Sequence, residues 1–112
     1  MKINHGKKTI SVKAKKLSEL GKFIGLMFKS KNTENLLFEF KNKRLISIHS
    51  LFVFFHFLAI WLDDKDNIVE YRIIKPFSFI IKPKNPAKKL IEIPFNSKNK
   101  KILKIFVEKG KI

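Results

Sequence analysis

Residues 47–71 decide the fold of this chain, and they read SIHSLFVFFHFLAIWLDDKDNIVEY. Between residues 51 and 62, the only polar side chain is that of His56. A run this apolar leaves no face for solvent, which predicts a central, fully buried strand over residues 57–62. After an acidic turn, residues 68–74 alternate apolar and polar side chains, as a half-buried strand does. The stretch therefore predicts the buried hairpin of a small β-rich domain.

Other apolar segments predict further strands. Residues 36–40 and 87–95 carry strand patterns, and residues 45–54 are apolar enough to predict a second central strand. Residues 10–14 alternate and predict a half-buried strand. Nearby prolines restrict any strand over residues 77–81 to a short or edge position.

Helical patterns are rare in this chain. Four apolar side chains recur at spacings of three, four and three residues, namely Leu17, Leu20, Ile24 and Met27. This spacing predicts one short N-terminal amphipathic helix over residues 15–25. Residues 96–101 favour a capped helical turn, and the chain is expected to end in extended form. The predicted fold class is α+β, mainly β: a compact antiparallel sheet or a barrel-like domain with one N-terminal helix.

Length and composition favour one globular domain over residues 1–112, with a flexible segment at residues 1–8. The chain has 112 residues, of which 45% are hydrophobic, so it can bury a modest core. It has no cysteine, which excludes disulfides, thiolate catalysis and cysteine-based metal sites. The N-terminus does not resemble a secretory signal, and the longest apolar run is too short to span a bilayer. We expect a cytoplasmic protein without a membrane span, as a monomer or weak dimer.

The net charge of +16 is concentrated at the two ends of the chain. Residues 1–35 hold nine Lys and two Glu, residues 36–74 are neutral, and residues 75–112 hold eleven Lys and two Glu. The positive electric field of such a charge excess attracts polyanions, so non-specific nucleic-acid binding is one hypothesis. Arginine, the usual residue for bidentate phosphate recognition, occurs only twice. We favour a solvated lysine surface that reflects an archaeal-like, thermophile-like composition.

The histidines do not predict a metal site. His49 and His56 are seven residues apart, and an odd spacing on one strand places them on opposite faces. His49 is interpreted as a buried histidine bonded to the backbone, and His5 lies in the N-terminal segment.

The acidic turn does not predict a calcium site. The spacing of residues from Asp63 onward lacks the ligands and the glycine of a calcium-binding loop. Within this turn, Asn67 is predicted to take a positive φ angle.

No catalytic residue and no cofactor are predicted. Ser50 is adjacent to His49 and points away from it along a strand, so the two do not form a nucleophile and base pair. Glu92 lies between two isoleucines, on the wet face of a strand or at a pocket. The candidates for ligand binding are His49, Ser50 and Glu92. The densest aromatic cluster has no interleaved lysine, so it predicts core rather than a base-stacking platform.

Three blocks of sequence resemble the family called domain of unknown function 192, also known as uncharacterised protein family 127, and its archaeal-type members. The first is GLMF at residues 25–28. The second is SIHSLFV at residues 47–53, which runs into IWLD at residues 60–63. The third is LIEIP at residues 90–94. The resemblance covers residues 8–112 and implies a compact, mainly antiparallel β domain with a short helix, without assigning catalytic residues.

The chain departs from the family pattern at three positions around the start of the apolar strand. Val53 stands where the family has a Met at the end of the SIHSLFV segment. The family carries Pro and, two residues later, Asp, where this chain has His56 and Leu58. An activity that needs an acid at position 58 is therefore not expected here.

These observations favour a non-catalytic binding or accessory domain with an unknown, small ligand. The alternative is non-specific nucleic-acid or polyanion binding through the lysine-rich ends. A second alternative is an enzyme that uses His49 with Ser50 or Glu92, which requires two of these groups to meet at one site.

Overall fold

A five-stranded open sheet forms the centre of the computed structural model, which describes residues 1–17, 25–27 and 29–107. The elements of these residues are, in chain order, strands β1 (Lys2–His5), β2 (Lys8–Ser11), β3 (Lys15–Lys16), β4 (Leu36–Arg44), β5 (Phe57–Leu62), β6 (Ile68–Ile74) and β7 (Ala87–Pro94), a 3-10 turn (Ser97–Asn99) and helix α1 (Lys100–Phe106). The central sheet has the order β3-β4-β7-β5-β6, and β1 and β2 form a separate hairpin. All pairs are antiparallel except β3 with β4. The prediction of a mainly β, largely antiparallel domain is confirmed, and its barrel-like alternative is wrong because the sheet does not close.

The hairpin predicted from residues 47–71 is confirmed as β5 and β6. All six residues of β5 are buried, and Ile60 faces Tyr71 across the pair. In the turn, Asp63 accepts hydrogen bonds from the backbone N–H groups of Lys65 and Asn67, both at 2.9 Å. The positive φ angle falls on Asp66 rather than on Asn67. The Asp63 N–H donates to the Asn67 carbonyl at 2.9 Å, which places Asn67 at the start of the returning strand and Asp66 within the turn.

The two faces of the sheet carry separate hydrophobic cores. The first core, on one face, consists of Leu26, Leu36, Phe38, Ile46, Ile48, Val53, Phe55, Phe57, Ala59, Trp61, Ile74, Ala87 and Leu90. The second core, on the other face, consists of Ile3, Ile10, Val12, Leu37, Leu58, Ile60, Leu62, Ile91, Ile93, Leu103 and Phe106. Successive residues of β5, and residues 90–93 of β7, alternate between the two faces, as the pleat of a strand requires. Both faces of the central strands are thus covered, which accounts for their nearly continuous apolar sequences.

Residues 45–54 do not form the predicted second central strand. They cross the first core as a loop. Within this loop, β-type pairing with the described residues is limited to an isolated antiparallel bridge between Ile48 and Ile81. The Trp61 indole N–H donates to the Ile46 carbonyl at 2.8 Å and ties this loop to the sheet. The apolar sequence predicted burial only in part: Ile46, Ile48 and Val53 are buried, whereas the large side chains of Leu45, Leu51, Phe52 and Phe54 are exposed. Burial does not specify ladder pairing, however, because a loop lying on a sheet buries side chains as a strand does.

The helix of the described residues lies towards the C-terminal end, not at the predicted N-terminal position. Of the predicted helix over residues 15–25, residues 18–24 lie outside the described residues. The described remainder is not helical: Lys15–Lys16 form β3, and residues 25–27 form a turn. The edge of β4 holds this segment extended, because the Leu17 N–H donates to the Leu37 carbonyl at 3.0 Å.

Ile105, predicted to be extended, lies in α1, whereas Val107 follows the helix with the extended backbone that was predicted. Ile112, the third residue of this prediction, lies outside the described residues. The Asn96 side chain caps the preceding 3-10 turn by accepting the Asn99 N–H at 3.0 Å, as a capping residue was expected to do. Leu103 and Phe106 then project from one helical face into the second core. The prediction failed at Ile105, whose side chain is exposed. The buried side chains are those of Leu103, Phe106 and Val107, and the spacing of three and four residues from Leu103 is that of a helix.

Residues 1–8, expected to be flexible, include β1, whose Ile3 is fully buried in the second core. The N-terminal ammonium donates to the Val12 carbonyl at 2.7 Å. Within the described part of the chain, no helix has the length and apolar content that crossing a membrane requires.

Candidate functional site

A cavity of about 100 Å³ lies on the first-core face of the central sheet. Strands β4 and β7 form its floor, and the turn at residues 25–27 and the loop at residues 45–54 form its walls. The described residues that line it are Gly25, Leu26, Met27, Phe38, Phe40, Ile46, Ser47, Ile48, His49, Val53, Leu90 and Glu92. A water molecule occupies about 30 Å³ in the liquid, so the cavity has room for a few waters or the end of a small organic molecule.

Glu92 is the one carboxylic acid among these residues, and it sits in the middle of the sheet. It lies on β7, opposite Leu36 of β4 on one side and Ala59 of β5 on the other. Its neighbours Ile91 and Ile93 point into the second core, so the pleat directs the Glu92 side chain into the first core. Only 6% of the residue's surface is exposed. Of the two sequence-based alternatives for Glu92, wet face or pocket, the structure has the pocket.

The Glu92 carboxyl makes no hydrogen bond or ion pair with any residue that the structure describes. Desolvation by burial therefore acts on it unopposed and raises its pKa to about 8 from an ordinary value of 4.5. At neutral pH the group is mostly protonated, and it can both donate and accept a hydrogen bond. Its oxygens are not sealed in the core, because the one fully enclosed side-chain oxygen or nitrogen without a partner among the described residues is Oδ1 of Asn35. The Glu92 carboxyl instead opens onto the cavity, where a ligand can reach it.

The turn containing Gly25 closes over the carboxyl. Gly25 has a φ angle of +51°, in the left-handed region that glycine adopts without strain. A methyl group at this position would lie 3.5 Å from Oε1 of Glu92 and 3.5 Å from Cζ of Phe38. Both distances are ordinary van der Waals contacts, so the left-handed φ angle, and not a lack of space, is what favours glycine at this turn.

His49 lines the same cavity from its solvent side. Its side chain is exposed, which makes the prediction of a buried, backbone-bonded histidine wrong. Ser47, two residues earlier, is also exposed and lies on the same wall. Both side chains carry hydrogen-bonding groups, so the mouth of the cavity is polar while its interior is apolar except for Glu92.

Ser50 lies outside the cavity and holds two loops together. Its hydroxyl donates to the Lys75 carbonyl at 2.6 Å and accepts the Ser78 N–H at 2.8 Å. It is fully buried. Of the three predicted ligand-binding candidates, the structure therefore brings His49 and Glu92 to one cavity. Ser50 instead fixes the loop at residues 45–54 to the backbone of residues 75–78.

Other cavity residues were not predicted as site residues, although a signal existed for some. The GLM sequence at residues 25–27 carries a family resemblance and no predicted site, yet its glycine forms part of the cavity wall. Residues 36–40 are correctly predicted as a strand, but a strand pattern does not reveal that Phe38 and Phe40 line a cavity. The strongest signal was the sequence of residues 90–94, where an acid interrupts a strand that is otherwise apolar.

Of the three departures from the family pattern, His56 and Leu58 lie away from this cavity, whereas Val53 lines it. Leu58 is fully buried in the second core, on the opposite face of the sheet from Glu92. His56 is exposed and its ring lies 6.0 Å from that of Phe95. Across residues 1–17, 25–27 and 29–107, no three His, Asp or Glu side chains cluster in a way that could hold a metal ion.

A second surface feature brings the two lysine-rich ends of the chain together. Two adjoining grooves of about 520 and 250 Å³ share Lys13, Asn35, Lys98 and Asn99 among their lining residues. We call this surface the lysine groove and define it by Lys13, Lys15, Lys98 and Lys101. Its base is held by the Asn35 side chain, which donates to the Lys13 carbonyl at 2.9 Å and to Oδ1 of Asn99 at 3.0 Å.

The fold resembles those of two proteins of known structure. One is a putative transcription regulator from Sinorhizobium meliloti 1021, with a TM-score of 0.73 and 16% sequence identity over 90% of this chain and 81% of that protein. The other is a protein of unknown function from Novosphingobium aromaticivorans DSM 12444, with a TM-score of 0.73 and 10% identity over 90% of this chain and 75% of that protein. No family model and no curated protein sequence matches the chain. At these identities the likeness establishes a shared fold and nothing about activity.

Proposed function

We propose that this protein is a non-catalytic binding domain whose small ligand occupies the cavity around Glu92. The observation that carries the proposal is the Glu92 carboxyl itself, which is buried, lines a cavity and has no partner among the described residues. Isolating a carboxyl in this way costs stability, and a ligand that bonds to it would offset the cost. The few polar groups around a mainly apolar cavity are typical of ligand sites.

The positions of the three sequence blocks support this proposal. Residues 25–27 come from the first block, residues 47–49 and Val53 from the second, and Leu90 and Glu92 from the third. Blocks that are far apart in the sequence thus meet at one cavity. We also propose, on the same blocks, that the chain is an archaeal-type member of the domain of unknown function 192 family. The cytoplasmic location and the monomer or weak dimer remain predictions.

The test is an NMR titration of the isotope-labelled protein with a panel of small cationic, neutral and anionic compounds. We expect at least one class to shift the amide signals of Gly25, His49 and Glu92 together. Glu92→Gln should weaken that response, whereas Glu34→Gln, the same chemical change at an exposed position, should not. If no compound shifts the cavity residues, the binding function at this site is wrong.

A second candidate function, non-specific polyanion binding, is favoured by the lysine groove. Residues 1–35 and 75–112 carry the charge excess, and the groove brings lysines from both segments to adjoining surfaces. The resemblance in fold to a putative transcription regulator is compatible with a nucleic-acid partner. Because the groove has lysines and no arginine, we expect phosphate attraction without sequence readout.

Salt dependence of oligonucleotide binding tests this second function. Binding of a single-stranded DNA oligomer, followed by fluorescence anisotropy, should weaken steeply between 50 and 200 mM salt, a range chosen because counterion release dominates there. Lys13→Gln with Lys98→Gln should lower the logarithmic salt slope by about 1.4, since each phosphate that a lysine neutralises adds about 0.7 to the slope. The control pair Lys75→Gln with Lys82→Gln lies outside the groove and should change the slope less. Equal effects of the two pairs would contradict a groove and indicate a diffuse field.

A further inference from the structure

The chemistry of the cavity lining points to the class of ligand. The chain has 25 basic side chains, yet no lysine or arginine is among the described residues that line the cavity. The charged or ionisable groups there are Glu92 in the interior and His49 at the mouth. The rest of the interior is aliphatic, aromatic or thioether surface, including Phe38 and Met27. A ligand that matches this lining has one group complementary to a carboxylate and a short apolar body.

A cation satisfies the buried carboxyl more fully than a neutral group does. An ionised carboxylate inside a protein needs a partner of opposite charge, and the described residues supply none at this site. A primary ammonium is small and carries three donors. The carboxylate oxygens of Glu92 and the hydrogen-bonding groups at the mouth are the acceptors within the cavity. A volume of about 100 Å³ suits a chain of a few carbon atoms and excludes large ligands.

We propose that the Glu92 cavity binds a primary alkylammonium group, with the nitrogen against the Glu92 carboxylate and the carbon chain against the apolar walls. This inference rests on the proposed binding function and names its ligand class. The group belongs either to a free alkylamine or to a lysine side chain of another protein, and both present the same chemistry to the cavity.

Binding of the ammonium group is linked to a proton. The unoccupied Glu92 is mostly protonated at neutral pH because burial raises its pKa to about 8. The carboxylate form is the one that pairs with a cation, so binding releases the Glu92 proton to solvent. Across the sheet, Glu92 faces Leu36 and Ala59, and the Gly25 turn above it adds no ionisable group, which leaves His49 as the other titratable side chain at the described lining.

The proton linkage sets the expected pH dependence. The ionised fraction of a group with a pKa of about 8 rises about tenfold between pH 7 and pH 9, and the affinity for an ammonium should rise by the same factor. A ligand that accepts a hydrogen bond from the protonated carboxyl would show the opposite trend.

The experiment compares three probes of similar shape, n-butylammonium, butyramide and butyrate, by NMR titration and calorimetry at pH 7, 8 and 9. We expect n-butylammonium to bind most tightly, about tenfold more tightly at pH 9 than at pH 7, and to release protons at pH 7. Glu92→Gln should abolish both the preference for the cation and its pH dependence. Glu34→Gln should leave both unchanged, and a dispersed NMR spectrum verifies that each variant is folded.

The outcomes separate this inference from the proposed function. If butyramide or butyrate binds most tightly at the cavity, or if the affinity falls as pH rises, the ammonium proposal is wrong while the binding function stands. If no probe shifts the cavity signals, both are wrong. A parallel titration with Nα-acetyl-lysine methylamide decides whether the ammonium group comes from a lysine side chain or from a free amine. Binding as tight as that of n-butylammonium, or tighter, indicates a lysine side chain. Binding that is tenfold weaker indicates a free amine.

Discussion

Replacing Glu92 with glutamine should stabilise the protein at neutral pH and leave it nearly unchanged in acid. The two side chains have nearly the same size, and glutamine is uncharged at every pH. In the unfolded chain Glu92 ionises near pH 4.5, whereas in the folded protein its pKa is about 8. The folded state therefore holds the proton over a range in which the unfolded state releases it. This contribution to stability is fully present below pH 4.5 and is lost as the pH rises through 8.

The size of the effect follows from the pKa difference. Each pH unit between the two pKa values removes about 1.4 kcal/mol of folding free energy. The loss in the natural protein amounts to about 3 kcal/mol at pH 7 and about 5 kcal/mol above pH 8. The Glu92→Gln variant has no ionisable group at this position, so its stability does not fall in this way as the pH rises. At pH 4.5, where both side chains are neutral in the folded state, the two proteins should agree within about 1.5 kcal/mol because the change conserves volume.

Urea unfolding followed by the fluorescence of the buried Trp61 measures this difference. The free energy of unfolding of both proteins is determined from pH 4.5 to pH 9, with Glu34→Gln as the exposed control. The difference between Glu92→Gln and the natural protein should grow with pH, and the control should show no comparable growth. A difference that stays constant across this range would refute the claim that Glu92 is buried without a compensating partner.

Three further substitutions test the site and the fold. Gly25→Ala should cost about 1–2 kcal/mol for its left-handed backbone and should weaken ligand binding at the cavity. Gly6→Ala has a similar φ angle of +62° with open space at the new methyl group, so it should share the strain and spare the binding. Ser50→Ala should cost about 1–3 kcal/mol in urea unfolding because two loop groups lose their partner, whereas Ser97→Ala at the surface should cost far less. Leu103→Ala should cost about 2–5 kcal/mol if α1 packs into the second core as described, and a near-zero cost would contradict that packing.

The sequence predicted the parts of the fold that local pattern determines. The β5–β6 hairpin followed from an apolar run, an acidic turn and an alternating strand, each of which is a local feature. The strand character of residues 36–40 and 87–95 was equally local, and β4 continues past the predicted end because it pairs with β7. What failed was the assignment of apolar segments whose role depends on their neighbours. Residues 45–54 are as apolar as a central strand, yet they cover a sheet face that other strands form.

In the candidate site too, the sequence predicted local features but not the features that depend on distant parts of the chain. Glu92 could be singled out because an acid within an apolar strand is unusual, and His49 because it belongs to a recognisable block. That they line one cavity depends on the order of the strands and on the turn at Gly25, which periodicity does not encode. Ser50 was chosen for its chemistry, but its hydroxyl bonds to the backbone of a distant segment of the chain. The sequence therefore identified the individual polar candidate residues better than it identified which of them lie at the same site.

The carboxyl carbon of Glu92 offers the most direct measurement of the central claim. Its ¹³C signal, followed by NMR from pH 4 to pH 10 with and without n-butylammonium, reports the ionisation of this one group. We predict a midpoint near 8 in the free protein, and a midpoint at least one pH unit lower when the ammonium compound is bound. A midpoint near 4.5 in the free protein, with no response to any probe, would contradict the account of a buried carboxyl that awaits a ligand.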